Sequence, residues 1–426
     1  MIEWSETDKM IQQAVRRFVD DEIRPRVTEL EHGDGEPYEV LRKFFKAFSI
    51  DAMARETFRV AIEKQRAREQ SPTTGEPKRR RGGGGLMGGG PGQEALSMIA
   101  VSELCRVSPG LVGAMGVSIG LAAGTIMARG TVAQKERWAL DLLTFDKIGA
   151  WAITEPNSGS DAFGGMKSTV RPHGDGYVLN GQKTFITNGP YADTIVVYAK
   201  LDDGGGAADD TASKRNRKIL SFVLDKGMKG LTQTKPFKKM GFHSSPTGEL
   251  FFEDVYLEKE RLLAGAESAD DSSNDGRDSA RSNFTSERFG VAAMSLGVIE
   301  ECLALSVDYA KKRELWGQPI GNFQLIQLKL AKMEIARLNV QNMVFRTIEM
   351  LREGKEPTLA EASAMKLYSS EAATEVAMEA VQLFGGNGYM AEYRVEQLAR
   401  DAKSFMIYAG SSEIQVTHIA KDLLRR

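Results

Sequence analysis

The spacing of apolar residues divides the chain into three stretches of different texture. Up to residue 147, apolar positions recur every three to four residues, as in Met10–Phe18 and Val40–Ile50, and Ala100–Met127 is a long apolar-rich stretch. That period predicts helices with one buried face. From 148 to 262 the pattern changes to short runs rich in β-branched and aromatic residues: Tyr177–Asn180, Thr184–Thr187, Thr194–Ala199, Ile219–Leu224 and Glu249–Phe252. Turn formers stand between them (Gly174-Asp-Gly, Asn180-Gly and Asn188-Gly-Pro), which predicts an antiparallel β domain. From 286 to 426 the helical period returns. Asn322–Glu353 carries apolar residues on one face, Pro357 ends it, and Thr358–Phe384 runs up to Gly385-Gly386. The expected fold class is α+β, with a helical domain over 1–147, a β domain over 148–262, a linker over 263–285 and a helical region over 286–426.

Three polar segments interrupt this pattern. Ser71–Gly92 holds Lys78-Arg-Arg-Arg followed by eight glycines between Gly82 and Gly92. Asp202–Lys218 and Glu267–Ser282 are charged or Ser/Asp-rich. All three are too polar to bury and read as surface insertions. They also explain an excess of glycine. Of 43 glycines, 11 lie in Gly82–Gly92 and Gly204–Gly206, and the remaining 32 of 426 residues are an ordinary fraction.

Composition excludes several classes. Lys and Arg number 56 against 58 Asp and Glu, a net charge of −2, so no strong field draws nucleic acid or anionic lipid. The Lys78–Arg81 run has no aromatic residue up to Gly92 to stack on bases, and reads as a solvated loop rather than an RNA-binding segment. Two cysteines and four scattered histidines exclude a disulfide scaffold and an HExxH metal site. The charged start Met1–Lys9 lacks the apolar region of a secretory signal, so a cytoplasmic location is expected. The uncharged run Val107–Ala128 has Gly116, Gly120 and Gly124 at GxxxG spacing. It is broken early by Pro109, and reads as a buried helix with a thin packing face rather than as a membrane span.

Candidate chemistry is sparse on composition alone. Trp151–Asp161 (WAITEPNSGSD) is a strand leading into a turn of small polar residues whose backbone N–H groups suit an anion or the polar edge of a planar cofactor. An ordinary polar turn has the same composition. Gly385-Gly-Asn-Gly388 follows a helix, not a strand, and is not GxGxxG; Gly82–Gly92 lacks the Lys-Ser/Thr of a P-loop.

Taken in order, five stretches resemble the acyl-CoA dehydrogenase family: Gly130–Trp138 (GTVAQKERW), Ala152–Asp161 (AITEPNSGSD), Leu179–Gly189 (LNGQKTFITNG), Arg313–Gln324 (RELWGQPIGNFQ), and Gln382–Tyr389 (QLFGGNGY) with Arg400-Asp-Ala-Lys403. The part before Glu94 matches weakly, apart from Glu22-Ile-Arg-Pro25. The resemblance implies a helical domain, a middle β domain and a C-terminal four-helix bundle, with FAD between the last two. Ile153, Thr154, Phe185 and Thr187 would then contact the flavin ring, and backbone at Gly159 and Ser160 would touch ring or pyrophosphate. Arg313, Trp316, Gln324, Gln382, Gly385 and Gly386 would serve the FAD of an adjacent subunit, with Ser411 and Glu413 completing the site near the C-terminus. Without the resemblance, Arg313 reads as a helix-end cation and Phe185 as a core strand residue.

Dehydrogenation at Cα–Cβ needs a carboxylate to take the α-proton. Many members place it in Tyr-Glu-Gly-Thr, but here that motif reads Tyr408-Ala-Gly-Ser411. Relatives resembling isovaleryl-CoA and long-chain acyl-CoA dehydrogenases carry the base as a Glu directly before an Arg on another helix, and Thr285-Ser-Glu-Arg288 stands at that point. Glu287 is therefore the expected base, and Ala409 retains a backbone N–H for the thioester oxygen. Ser160, Arg288 and Tyr408 are expected against the substrate. The bland reading of Glu287 is a first-turn acid behind a Ser286 cap. The resemblance further implies electron-transferring flavoprotein as acceptor, a homotetramer built as a dimer of dimers, and no bound metal. A same-fold acyl-CoA oxidase, a desulfinase and a catalytically inactive FAD-binding protein stay open at this level.

Overall fold

The structure is a computed structural model that describes residues 3–32, 36–70, 94–204, 215–263 and 276–425. The Ser71–Gly92 insertion, most of the Asp202–Lys218 segment and the first part of Glu267–Ser282 lie outside them.

The N-terminal helices start where the sequence offers caps. Glu6–Phe18 begins at Ser5, which forms a reciprocal capping box with Asp8. Tyr38–Ala47 buries Tyr38, Leu41, Phe44 and Phe45. The apolar run forms one continuous helix from Pro109 to Arg129, with wider turns over Val117–Ala123. This helix and Asn283–Lys312 are long and apolar enough to cross a membrane, yet 61% and 72% of their apolar windows are buried inside the protein. Close approaches also occur before the GxxxG stretch. A Cβ on Gly110 would lie 2.3 Å from Ser244 Oγ and one on Gly113 2.5 Å from Phe242, whereas one on Gly124 would meet a single atom at 3.7 Å. The thin face thus extends back to Gly110 and Gly113, where the β-domain loop Phe242–Ser245 docks, and within the expected stretch Gly149 of β1 packs so closely on Ser118 and Ala122 that a Cβ on it would lie 3.3 and 2.9 Å from them.

The β domain is a seven-stranded sheet: β1 (Gly149–Ala152), β2 (Thr169–His173), β3 (Gly176–Thr187), β4 (Thr194–Leu201), β5 (Ile219–Asp225), β6 (Leu231–Gln233) and β7 (Thr247–Glu258). Their order is β1-β4-β2-β3-β7-β6, with β5 on the free side of β4. Four pairings are antiparallel; β1/β4 and β2/β4 are parallel. Asn180-Gly181, expected as a turn, is a bulge inside β3, where the register to β7 shifts between Leu179 and Gly181. Gly181 has φ +146°, and a Cβ there would lie 2.3 Å from Ser168 Oγ, so glycine serves a close approach rather than a reversal.

The C-terminal region has three long helices, Gly276–Lys312, Gln324–Arg352 and Leu359–Phe384, and two short ones, Val395–Phe405 and Ser412–Leu423, both packed on Leu359–Phe384. The stretch 263–285, expected as a linker, is helical from Gly276 onward. Its apolar minority anchors it. Ala280 is fully buried, Phe284 meets Trp151 edge-on with ring centroids 5.8 Å apart, and Asn283 Nδ2 donates to Thr125 Oγ1 at 2.9 Å. Sparse apolar residues at helical spacing were masked by their Ser/Asp-rich surroundings.

One core runs between the N- and C-terminal helices, and the other two lie on opposite faces of the sheet. Asn188 stitches these layers together. Its Oδ1 accepts from the Tyr38 hydroxyl at 3.0 Å, and its Nδ2 donates to Ala114 O and Gly149 O at 2.8 and 2.9 Å.

Candidate functional site

The chain leaves β1 through Ile153 and Thr154 into the polar turn. Thr154 O accepts from Thr184 N at 2.9 Å, which ties the turn to β3. Glu155 points inward, where its carboxylate accepts from Lys167 N at 2.6 Å, Ser168 N at 2.9 Å and Lys183 Nζ at 2.8 Å. Burial alone would raise its pKa, but the Lys183 ammonium and these hydrogen bonds outweigh burial and hold it below the ordinary value. Burial pulls Lys183 the other way, down to about 8. With Glu155 anchored inside, Gly159 and Ser160 stand exposed, and a Cβ on Gly159 would meet nothing within 4 Å.

Phe185 is not a core strand residue. It sits where β3 shifts register a second time, between Lys183 and Ile186, with φ +57° and 68% of its surface exposed. A non-glycine residue held at positive φ costs about 1–3 kcal/mol. Here that conformation turns an aromatic ring outward beside Thr187. Its ring neighbour is Phe237, with centroids 5.8 Å apart.

Glu287 lies eleven residues after the start of Gly276–Lys312, in mid-helix. The reading as a first-turn acid behind a Ser286 cap is therefore excluded. The side chain is half-buried, and among the described residues no hydrogen bond acts on its carboxylate. Burial pushes its pKa up to about 7 against the opposing charges of Arg288 and Lys366. Arg288 is buried, and its Nε and Nη1 have no partner among the described residues. Tyr408 lies at the same place. Its hydroxyl donates to Met294 Sδ at 3.3 Å, its ring packs on Phe242 and Phe405, and burial first, then Glu287, keeps it neutral.

Beside Arg288, whose Nη2 would lie 3.5 Å from a Cβ on Gly410, the loop before Ser412–Leu423 takes a left-handed path, with φ +54° at Ala409 and +84° at Gly410. Gln415 Nε2 donates to both carbonyls, at 3.0 and 2.7 Å, and Lys366 Nζ donates to Gly410 O at 2.7 Å. Among the described residues the Ala409 N–H has no acceptor. A carboxylate that favours its protonated form and an unspent N–H donor thus belong to one site. Ser411 starts the next helix and hydrogen-bonds the exposed Glu413, which lowers that carboxyl's pKa.

The remaining expected residues form a separate exposed rim. A two-stranded turn, β8 (Glu314–Leu315) and β9 (Gln318–Pro319), projects Trp316, which is 86% exposed at φ +51°. Trp316, Phe323, Gln324 and Leu383 line a surface groove of about 540 Å³. Arg313, Gln382, Gly385 and Gly386 are exposed around it. The single chain therefore groups the expected residues into a β-domain turn, a half-buried acid–amide site and an outward rim. Sequence reading missed Lys366 and Gln415, both fully buried. Lys366 left a signal: it interrupts the small and apolar stripe Ala362, Ser363, Met365, Ser369, Ser370, Ala373 that Leu359–Phe384 buries.

Comparison with known proteins agrees with this layout. The chain matches the acyl-CoA dehydrogenase N-terminal domain over 85–146, the middle domain over 150–255 and the C-terminal domain over 274–424. It is 39% identical over 338 residues to a short-chain specific acyl-CoA dehydrogenase of Megasphaera elsdenii, covering 79% of this chain and 84% of that one. It is 34% identical over 428 residues to subunit CarC of the caffeyl-CoA reductase-Etf complex of Acetobacterium woodii, covering 99% and 100%. The solved butyryl-CoA dehydrogenase of Megasphaera elsdenii superposes with a TM-score of 0.80 at 32% identity, covering all of both chains. Three matched domains in order, on a helical–β–helical frame with these sites, place the chain in the acyl-CoA dehydrogenase family.

Proposed function

We propose that this protein is an FAD-dependent dehydrogenase that converts an acyl-CoA to its trans-2-enoyl-CoA, with Glu287 as the α-proton base. The observation that carries the reading is the pairing of the half-buried, unpartnered Glu287 carboxylate with the free Ala409 N–H across one site. The N–H would bind the thioester oxygen, which makes the α-proton acidic, and Glu287 would remove that proton. Arg288 and Tyr408 would shape the wall around the acyl group, with Ser160 at the entrance.

Members of the family bind FAD, and the residues here fit a flavin. The outward Phe185 ring and the open backbone at Gly159–Ser160, tied to the same turn by Thr184 N donating to Thr154 O, offer a planar face with polar contacts beside it. Ile153, Thr154 and Thr187 would complete the ring contacts, and Ser411 and Glu413 would close the site. Arg313, Trp316, Gln324, Gln382, Gly385 and Gly386 face outward, which suits a role on a neighbouring subunit's cofactor; such an assembly needs at least a dimer, and the proposed one is a homotetramer. When bound, FAD supplies the acceptor for the hydride leaving the β-carbon. An electron-transferring flavoprotein would take the electrons onward, in keeping with the reductase-Etf relative.

That relative matches over its full length and favours a second reading, in which the same residues work in reverse and Glu287 returns a proton to the α-carbon of an enoyl-CoA. Anaerobic titration decides. Bleaching of the oxidised flavin by butyryl-, isovaleryl- or octanoyl-CoA supports dehydrogenation. Reoxidation of reduced flavin by an enoyl- or aryl-acrylyl-CoA, with no bleaching by any saturated acyl-CoA, supports reduction. A flavin inert to both sets overturns the assignment.

A further inference from the structure

Lys366 has no place in the reading above, yet it is one of the most completely enclosed charges in the protein. Its side chain is fully buried on Leu359–Phe384, and its ammonium donates to Gly410 O at 2.7 Å. Gly410 follows the residue that offers the free N–H. Both Ala409 and Gly410 stand at positive φ, which nothing in their own chemistry enforces for Ala409. The turn is held by its carbonyls: Gln415 Nε2 takes both, and Lys366 takes the second as well. A buried ammonium on a carbonyl is a charge-assisted bond, stronger than the neutral amide bond beside it.

The same ammonium also acts electrostatically on Glu287. The charged and titratable groups acting on Glu287 are Arg288 on its own helix and Lys366 from Leu359–Phe384, with Tyr408 responding from the opposite loop. Those acting on Lys366 are Glu287, Arg288, Glu371 and Glu413. Burial is costly for a lone ammonium, so a lysine here is expensive unless its charge and its bond are both used.

We propose that Lys366 is a positioning residue for the reaction: it pins the Ala409–Gly410 turn so that the Ala409 N–H meets the thioester oxygen, and its charge favours the ionised form of Glu287. This rests on Glu287 being the base. A glutamine or methionine would pack at this position more cheaply, and neither would supply both effects.

The test uses the FAD-loaded full chain with Lys366→Met and Lys366→Gln, assayed with butyryl-CoA and isovaleryl-CoA across pH 5–9. Expected for both variants is a fall in kcat/KM of roughly tenfold, smaller than the 10²–10³ for loss of an oxyanion donor itself. Its acid limb should move to higher pH, because removing a nearby positive charge makes Glu287 harder to ionise. Amide hydrogen exchange over 405–416 should quicken in Lys366→Met, a readout that needs no turnover. A purely structural lysine would lower activity or stability with the limb unmoved, and that result overturns the proposal. Should Lys366→Met not fold, Lys366→Gln carries the same expectation. Glu287→Gln, assayed in parallel, separates the two readings. If it turns over normally, the base assignment fails. If it is dead while the Lys366 variants keep the wild-type limb, only the role of Lys366 fails.

Discussion

Lys183 Nζ lies 2.8 Å from Oε1 of Glu155, and the two side chains are 0% and 5% exposed. The pair holds the polar turn against β3, because the same ammonium also donates to Ile153 O at 3.0 Å. Breaking such a pair leaves one buried charge without its counterion, which costs about 3–5 kcal/mol. Glu155→Leu is expected to lower the melting temperature sharply and to release FAD on gel filtration. The double replacement Glu155→Leu/Lys183→Met is expected to recover part of the stability and little of the FAD retention, since the turn still lacks the acceptor for Lys167 N and Ser168 N. Equal FAD retention in all three proteins would show that this turn does not hold the cofactor.

Gly410→Ala tests the left-handed turn. A Cβ there would lie 2.7 Å from Gln415 Nε2, at a φ of +84°. The backbone term alone is about 1–3 kcal/mol, and the crowded amide would have to release one of its two carbonyls. Thermal unfolding should report a clear loss of stability, and kcat/KM should fall more than the melting temperature alone explains. Wild-type turnover would mean the turn does not aim a catalytic N–H.

Much of this frame was legible in the chain. The change from helical to strand-like spacing near 148 coincides with the step from Leu143 at the end of the N-terminal helices to Gly149 at the start of β1. The errors share a physical origin. Asn180-Gly181 has the composition of a turn, and it became a bulge because Ser168 packs against the missing Cβ, a long-range fact absent from the local pattern. Residues 276–285 read as linker because Ala280 and Phe284 are few among polar neighbours, yet they sit on the buried stripe under Trp151. Without the resemblance Phe185 would read as core, because composition cannot reveal a positive φ. Of the proposed acid site, Glu287 and Ala409 came from the resemblance alone, while Lys366 and Gln415 bond backbone carbonyls, which leave no motif.

The outward rim predicts a dependence on assembly. Trp316 is 86% exposed on a turn whose neighbours Leu315 and Leu325 are 41% and 75% exposed. Exposed apolar clusters of this kind mark association surfaces. Arg313→Ala is expected to lower FAD content, and dilution of the wild-type protein should release FAD in step with subunit dissociation, followed by sedimentation and flavin fluorescence. FAD that stays bound to a monomer would refute the cross-subunit role.

Glu287 joins activity and stability with opposite signs. Its pKa of about 7, against an ordinary 4.5, means that the native state holds the proton more tightly than the unfolded chain. The stability this gives is fully present below the ordinary carboxyl value and is lost as pH rises through about 7. At pH 8 the ionised carboxylate therefore strains the fold by an amount on the order of 1–3 kcal/mol, given its half-buried position. As the proposed base, Glu287 would have to be ionised to take the α-proton, so kcat/KM should fall as pH drops through about 7. Glu287→Gln is expected to lose two to four orders of magnitude in turnover while retaining yellow FAD. It should also melt higher than wild type at pH 8, with the gap closing by pH 5, where wild-type Glu287 is protonated. Melting curves at the two pH values and stopped-flow flavin reduction across the range check both halves. A variant with near-normal turnover removes Glu287 from the mechanism. A dead variant with no pH-dependent gain in melting temperature would keep the base but show that its burial is relieved by solvent.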